Sequence, residues 1–155
     1  MPIIYIATLS MPQLTVTTSI YAPIDKVRDA WTQPEHIMQR NHAGDDRHCP
    51  AATGDLRVGG TFSYTMAAKD GSFAFDYAGM YTAIEDKKLI EYTLGEMKEY
   101  FIDAGRKVSI FFVDENCGTV KITETFDAEE VHSLELQQQG RQSILDNFKK
   151  YVESK

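Results

Sequence analysis

Cysteine is scarce in this chain of 155 residues: Cys49 and Cys117 are its only two. A small secreted fold stapled by disulfides uses more, so two reduced thiols in a reducing cytoplasm are the expected state. Positive charge is also in short supply. Sixteen lysines and arginines stand against 23 aspartates and glutamates, a formal net charge of −7. Nucleic-acid binding needs clustered basic residues and an anionic membrane attracts them, so neither is an expected partner. No apolar run reaches the length of a membrane span. The apolar opening, residues 1–9, is too short and lacks the basic start of a secretory leader. G-x-S-x-G, phosphate-loop and dinucleotide-binding patterns are missing. Neither cysteine stands in a recognised nucleophile motif, so nucleophilic catalysis has no support. Neither a catalytic residue nor a cofactor is assigned.

What is present is the balance of an ordinary globular domain, 43% hydrophobic and 25% charged. The length suits one domain. Met11-Pro12 repeats the opening Met1-Pro2, and regular patterning starts just after it. Residues 1–12 therefore read as an N-terminal extension and residues 13–153 as a single domain.

Leu14, Val16 and Ile20 alternate with polar residues, the pattern of a half-buried strand over 13–21. Pro23 permits a helix start, and Ile24, Val27 and Trp31 form one apolar stripe. Thr32-Gln33-Pro34-Glu35 has capping-box spacing, which predicts a second short helix to about residue 39. Residues 40–54, with Gly44, Pro50 and Gly54, read as a long loop. Asp70-Gly71 predicts a hairpin that sets Met66 against Phe75, Tyr64 against Tyr77 and Phe62 against Gly79. A turn near Asp86-Lys87 then sets Tyr81 against Tyr92 and Ala83 against Ile90. Gly59-Gly60 marks a bend. Two more strands, 106–113 and 119–126, precede a long helix capped by Ser133, in which Gly140 suggests a close approach to the sheet. The order is α+β: two short helices after the first strand, and a curved antiparallel sheet of about six strands with a long C-terminal helix. One face of that sheet is aromatic, which makes Phe62, Tyr64, Phe75, Tyr77 and Tyr92 candidate wall residues of a ligand site.

Three segments now carry a resemblance. Tyr21 to Thr32 (YAPIDKVRDAWT) resembles the opening of the START-like, helix-grip (SRPBCC) superfamily. Asp55 to Phe62 (DLRVGGTF) and Gln139 to Tyr151 (QGRQSILDNFKKY) resemble the branch related to the C-terminal domain of the activator of heat-shock protein ATPase. The resemblance implies a helix-grip fold with a cavity between sheet and helix. It implies a small apolar ligand, cyclisation or sequestration of polyketides, or a chaperone as partner. Where members commonly carry Trp, this chain has Arg40, Arg47 and Arg141. Arg141 falls in the middle of the closing helix, where it either snorkels to solvent or anchors an anionic group.

His42, Asp45, Asp46, His48 and Cys49 form the densest polar cluster. His42-x5-His48 matches no standard zinc spacing, so no metal is assigned. His48 and Asp46 can instead stand at a pocket mouth, His48 as donor or as acid/base. The candidate ligand-binding set is therefore Trp31, His48, Phe62, Tyr64, Phe75, Tyr77, Tyr92 and Arg141. The leading expectation is a cytoplasmic protein, monomer or homodimer, that binds a small apolar molecule. A cyclase- or hydratase-like enzyme and a chaperone-activator-like interaction protein are the alternatives.

Overall fold

Alternation dictates the strands. Along β1 (Gln13–Ile20) the inward side chains include Val16 and Ile20. A computed structural model describes residues 12–97, 100 and 102–155. After β1 come helices α1 (Ile24–Thr32) and α2 (Pro34–Arg40). Strands β2 (Arg47–Gly54), β3 (Thr61–Ala68), β4 (Ala74–Glu85), β5 (Leu89–Leu94), β6 (Lys107–Asp114) and β7 (Val120–Asp127) follow, and α3 (Leu134–Glu153) closes the fold. The strands form one curled antiparallel sheet in the order β1-β7-β6-β5-β4-β3-β2. All but Pro12 of the N-terminal extension lies outside the described residues.

The hairpin register follows the turn. Met66 faces Phe75, Tyr64 faces Tyr77 and Phe62 faces Gly79. Gly71 takes the left-handed φ of 81° that the turn requires. Tyr81 faces Tyr92, but a bulge then places Ala83 opposite Glu91 rather than Ile90. The extra residue kinks β4 and lets the sheet curl. Gly79 supports the same curl. A Cβ there would lie 2.4 Å from the Thr93 carbonyl oxygen and 3.0 Å from Phe62 Cζ.

Two further expectations are corrected. The stretch read as a loop, 40–54, contains β2, so the sheet has seven strands. Pro50 and Gly54 mask the pattern, and both are tolerated because β2 is an edge strand. The capping box over residues 32–35 does not form. Thr32 Oγ1 instead donates to the Arg28 carbonyl inside α1, and Pro34 opens α2 without a side-chain cap. Ser133 does cap α3, accepting from the Leu136 amide at 3.1 Å.

The core fills one end of the fold. Leu145, Phe148 and Val152 on the C-terminal half of α3 are buried against α1 and the sheet, with Trp31 edge-on to Phe112 and Phe148. The N-terminal half of α3 is different: Leu134 and Leu136 are exposed. Three α3 side chains hold the helix along the outer edge of β1. Gln138, Gln142 and Lys149 donate to the carbonyls of Thr15, Thr17 and Ser19. These bonds occupy the acceptors that an edge strand would otherwise offer to another chain.

Candidate functional site

Because α3 is packed at one end and stands off at the other, a cavity of about 570 Å³ remains under its N-terminal half. The floor is the aromatic face of the sheet. Tyr64 and Met66 of β3, Phe75 and Tyr77 of β4, and Ile90 and Tyr92 of β5 line it. The roof is α3, through Leu136, Gln137, Gly140, Arg141 and Ile144. Trp31 of α1 and Arg40 of α2 also line it, as do Met97, Tyr100, Ile102 and Arg106 from the segment between β5 and β6. A Cβ on Gly140 would meet no atom within 4 Å. The expected close approach to the sheet is therefore absent, and the glycine widens the cavity instead.

Six of the eight candidate residues converge on this space: Trp31, Tyr64, Phe75, Tyr77, Tyr92 and Arg141. Phe62 is not among the lining residues. Buried in the core, it packs behind them against the rings of Tyr64, Tyr77, Tyr81 and Tyr92. His48 lies on β2 opposite Ala67 and does not line the cavity, and neither does Asp46. The polar cluster of residues 42–49 does not assemble. Among the described residues, no group of three or more His, Cys, Asp or Glu side chains is placed to hold a metal. Cys49 is buried, and burial pushes its thiol up, away from the thiolate.

The phenols are neutral donors. Burial raises Tyr77, and it raises Tyr64 and Tyr92 well above the ordinary tyrosine range. The Tyr77 and Tyr92 hydroxyls are 2.8 Å apart and share a hydrogen bond. Arg141 neither snorkels out nor lacks a partner. It donates to Glu124 Oε2 at 2.8 Å, and its guanidinium lies over the rings of Tyr77 and Phe126. Arg40, 4% exposed, donates to the Ala30 and Trp31 carbonyls and to Asn41 Oδ1. Those carbonyls belong to the last turn of α1, the negative end of its dipole. Arg40 thus ties α2 to α1 while lying over Trp31 and Phe148. Arg47 lies over Phe73. All three arginines that depart from the family pattern rest on aromatic faces, as planar guanidinium allows.

Besides Arg40, noted in the sequence only as a departure from the family pattern, four ionisable residues of the cavity were missed as site residues. Glu124 sits in the inward row Val120, Ile122, Glu124, Phe126 of β7, a lone charge in an apolar alternation. Arg106 precedes the inward row Val108, Ile110, Phe112 of β6 at the same period. Glu129 and His132 lie in the turn before α3, where periodicity carries no signal. Buried Glu129 accepts from the amides of Val131 and His132 and pairs with His132 Nδ1 at 2.8 Å.

Comparison with known proteins supplies the lineage. The model of the family described as Activator of Hsp90 ATPase homolog 1-like protein matches residues 21–153. No curated protein matches the chain. An AHSA1-like protein from Aeromonas hydrophila, solved in solution, is 39% identical over 92% of this chain and 93% of its own, with a TM-score of 0.81. A protein from Cytophaga hutchinsonii is 46% identical over 92% of both chains, with a TM-score of 0.74. An HSP90 activator from Plasmodium falciparum is 21% identical over 92% of this chain and 96% of its own, with a TM-score of 0.67, a likeness of fold alone. The chain belongs to the Activator of Hsp90 ATPase homolog 1-like family.

Proposed function

We propose that this protein binds a small, mainly apolar molecule between the sheet and α3, in the cytoplasm. The observation that carries the reading is the cavity of about 570 Å³, in the size range of small-molecule sites, with aromatic walls and a few polar groups. Gly140 on the roof and neutral tyrosine hydroxyls on the floor favour an occupant over a packed core. Both thiols are unpaired, in keeping with a reducing compartment. The test is a thermal-shift screen of the full chain against lipophilic compounds, with mass spectrometry of gently purified protein. Ligands present at 100 times their Kd should stabilise the fold by about 2.7 kcal/mol. A panel of aromatic and aliphatic compounds that leaves the melting temperature unmoved would refute the reading.

A second reading, acid/base catalysis of the cyclase or hydratase type, is favoured by one observation. His132 lines the mouth of the cavity with its Nδ1 paired to buried Glu129. An imidazole oriented by a carboxylate is a competent general base. His132→Asn should then abolish turnover of a polyketide-like substrate without loss of binding; unchanged turnover would dismiss the role.

A further inference from the structure

The cavity contains three arginines and two glutamates, one positive charge in excess, inside a chain of net charge −7. The partners are unevenly distributed. Arg141 is neutralised by Glu124. Arg40 is satisfied by the carbonyls that end α1. Glu129 is held by the turn before α3. Arg106 is left over. Its Nε is buried with no hydrogen-bond partner, and no ion pair or hydrogen bond ties its guanidinium to any described residue. Its backbone is fixed, because the Leu94 amide donates to its carbonyl and Gly105 donates back to Leu94. Burial pulls Arg106 below the ordinary arginine range, and the nearby Glu129 carboxylate, which acts in the opposite direction, does not offset it. Arg106 is half-buried, and its sheltered, unsatisfied Nε is costly until an anion accepts from it, which a carboxylate does with two parallel bonds to a guanidinium.

We infer that Arg106 anchors the single carboxylate of an otherwise apolar ligand whose body lies along the aromatic floor. This rests on the cavity-binding reading and specifies the chemistry of the occupant. One negative charge fits because the excess positive charge is one. A dianion such as a phosphate would face Glu124 and Glu129 with its second charge unmatched. The apolar body fits because Phe75, Met97, Tyr100 and Ile102 line the cavity together with Arg106.

The experiment uses the full chain, with N-phenylnaphthylamine fluorescence reporting cavity occupancy. Decanoate and decanol share a chain length and differ in charge, and each is titrated as a displacer. Decanoate should act at about tenfold lower concentration than decanol, the lower end of what a charge-assisted pair contributes. Arg106→Gln should bring the two to parity, and Arg106→Lys should restore part of the preference. Arg57→Gln, which removes an exposed charge, should leave it intact. Equal displacement in the wild-type protein overturns the inference without any variant, as does a preference that survives Arg106→Gln or is lost in Arg57→Gln. In those cases dye binding still upholds the cavity reading. If the dye, decanoate and decanol all fail to bind, the cavity reading falls and takes the inference with it.

Discussion

Glu124 and Arg141 are a buried ion pair with side chains 7% and 16% exposed. Both charges had to leave water, so the pair is weak evidence of stability, yet breaking it is costly. Its two members come from β7 and α3, and the rings of Tyr77 and Phe126 under Arg141 add cation–π attraction to the Coulomb term. Glu124→Gln alone should destabilise the fold by about 3–5 kcal/mol, because it strands the guanidinium. Glu124→Leu together with Arg141→Met should recover most of that loss, since a matched apolar pair has nothing to desolvate. Urea denaturation of the single and double variants measures both. A double variant as unstable as the single one would mean that the pair's value lies in geometry no apolar substitute reproduces.

At the scale of the element, α3 divides into a half that packs and a half that roofs the cavity. Gly140 marks the division, in helical conformation and with room for a side chain. Gly140→Ala should raise stability by about 1 kcal/mol through helix propensity alone. Gly140→Leu should keep the fold and exclude cavity ligands, which dye binding and chemical denaturation can separate. Loss of stability in the alanine variant would mean that α3 approaches the sheet closely at Gly140. The elements themselves were largely legible from the sequence. Period-two alternation specifies β1, β6 and β7, and the Asp70-Gly71 turn specifies the β3–β4 register. What escaped had physical causes. β2 is an edge strand, and an edge tolerates the proline and glycine that read as loop. The bulge after Tyr81 changes the register without leaving a mark in composition. The site was legible in its apolar part, where Tyr64, Phe75, Tyr77 and Tyr92 share the inward face. Its charged part was not. Glu124 and Arg106 announce themselves only as misfits in apolar rows, and the choice of partner for each guanidinium depends on contacts between distant elements.

For the molecule as a whole, the buried phenols set a limit at high pH. Burial raises the cavity phenols Tyr64, Tyr77, Tyr81 and Tyr92 in the folded state, whereas in the unfolded chain they titrate near 10. The unfolded state therefore loses protons that the folded state keeps. By linkage, the stability tied to these groups is fully present below about pH 10 and is lost as pH rises toward their folded values. Each such proton contributes a slope of about 1.4 kcal/mol per pH unit, so these phenols acting together should unfold a marginal domain within a few units. The Lys87–Asp25 pair also weakens as lysine deprotonates, but it is exposed and its share is small. Below about pH 10 only the buried Cys49 thiol, also raised by burial, contributes a shallower fall from about pH 9, and the steep loss follows beyond about pH 10. Part of the phenolate absorbance should appear only with the unfolding transition. Tyr77→Phe with Tyr92→Phe should flatten the fall by removing two of the four groups, at the cost of the hydroxyl pair they form. If all eight tyrosines ionise while the sheet's circular dichroism is unchanged, the floor of the cavity is open to water and the sheltered aromatic surface does not exist.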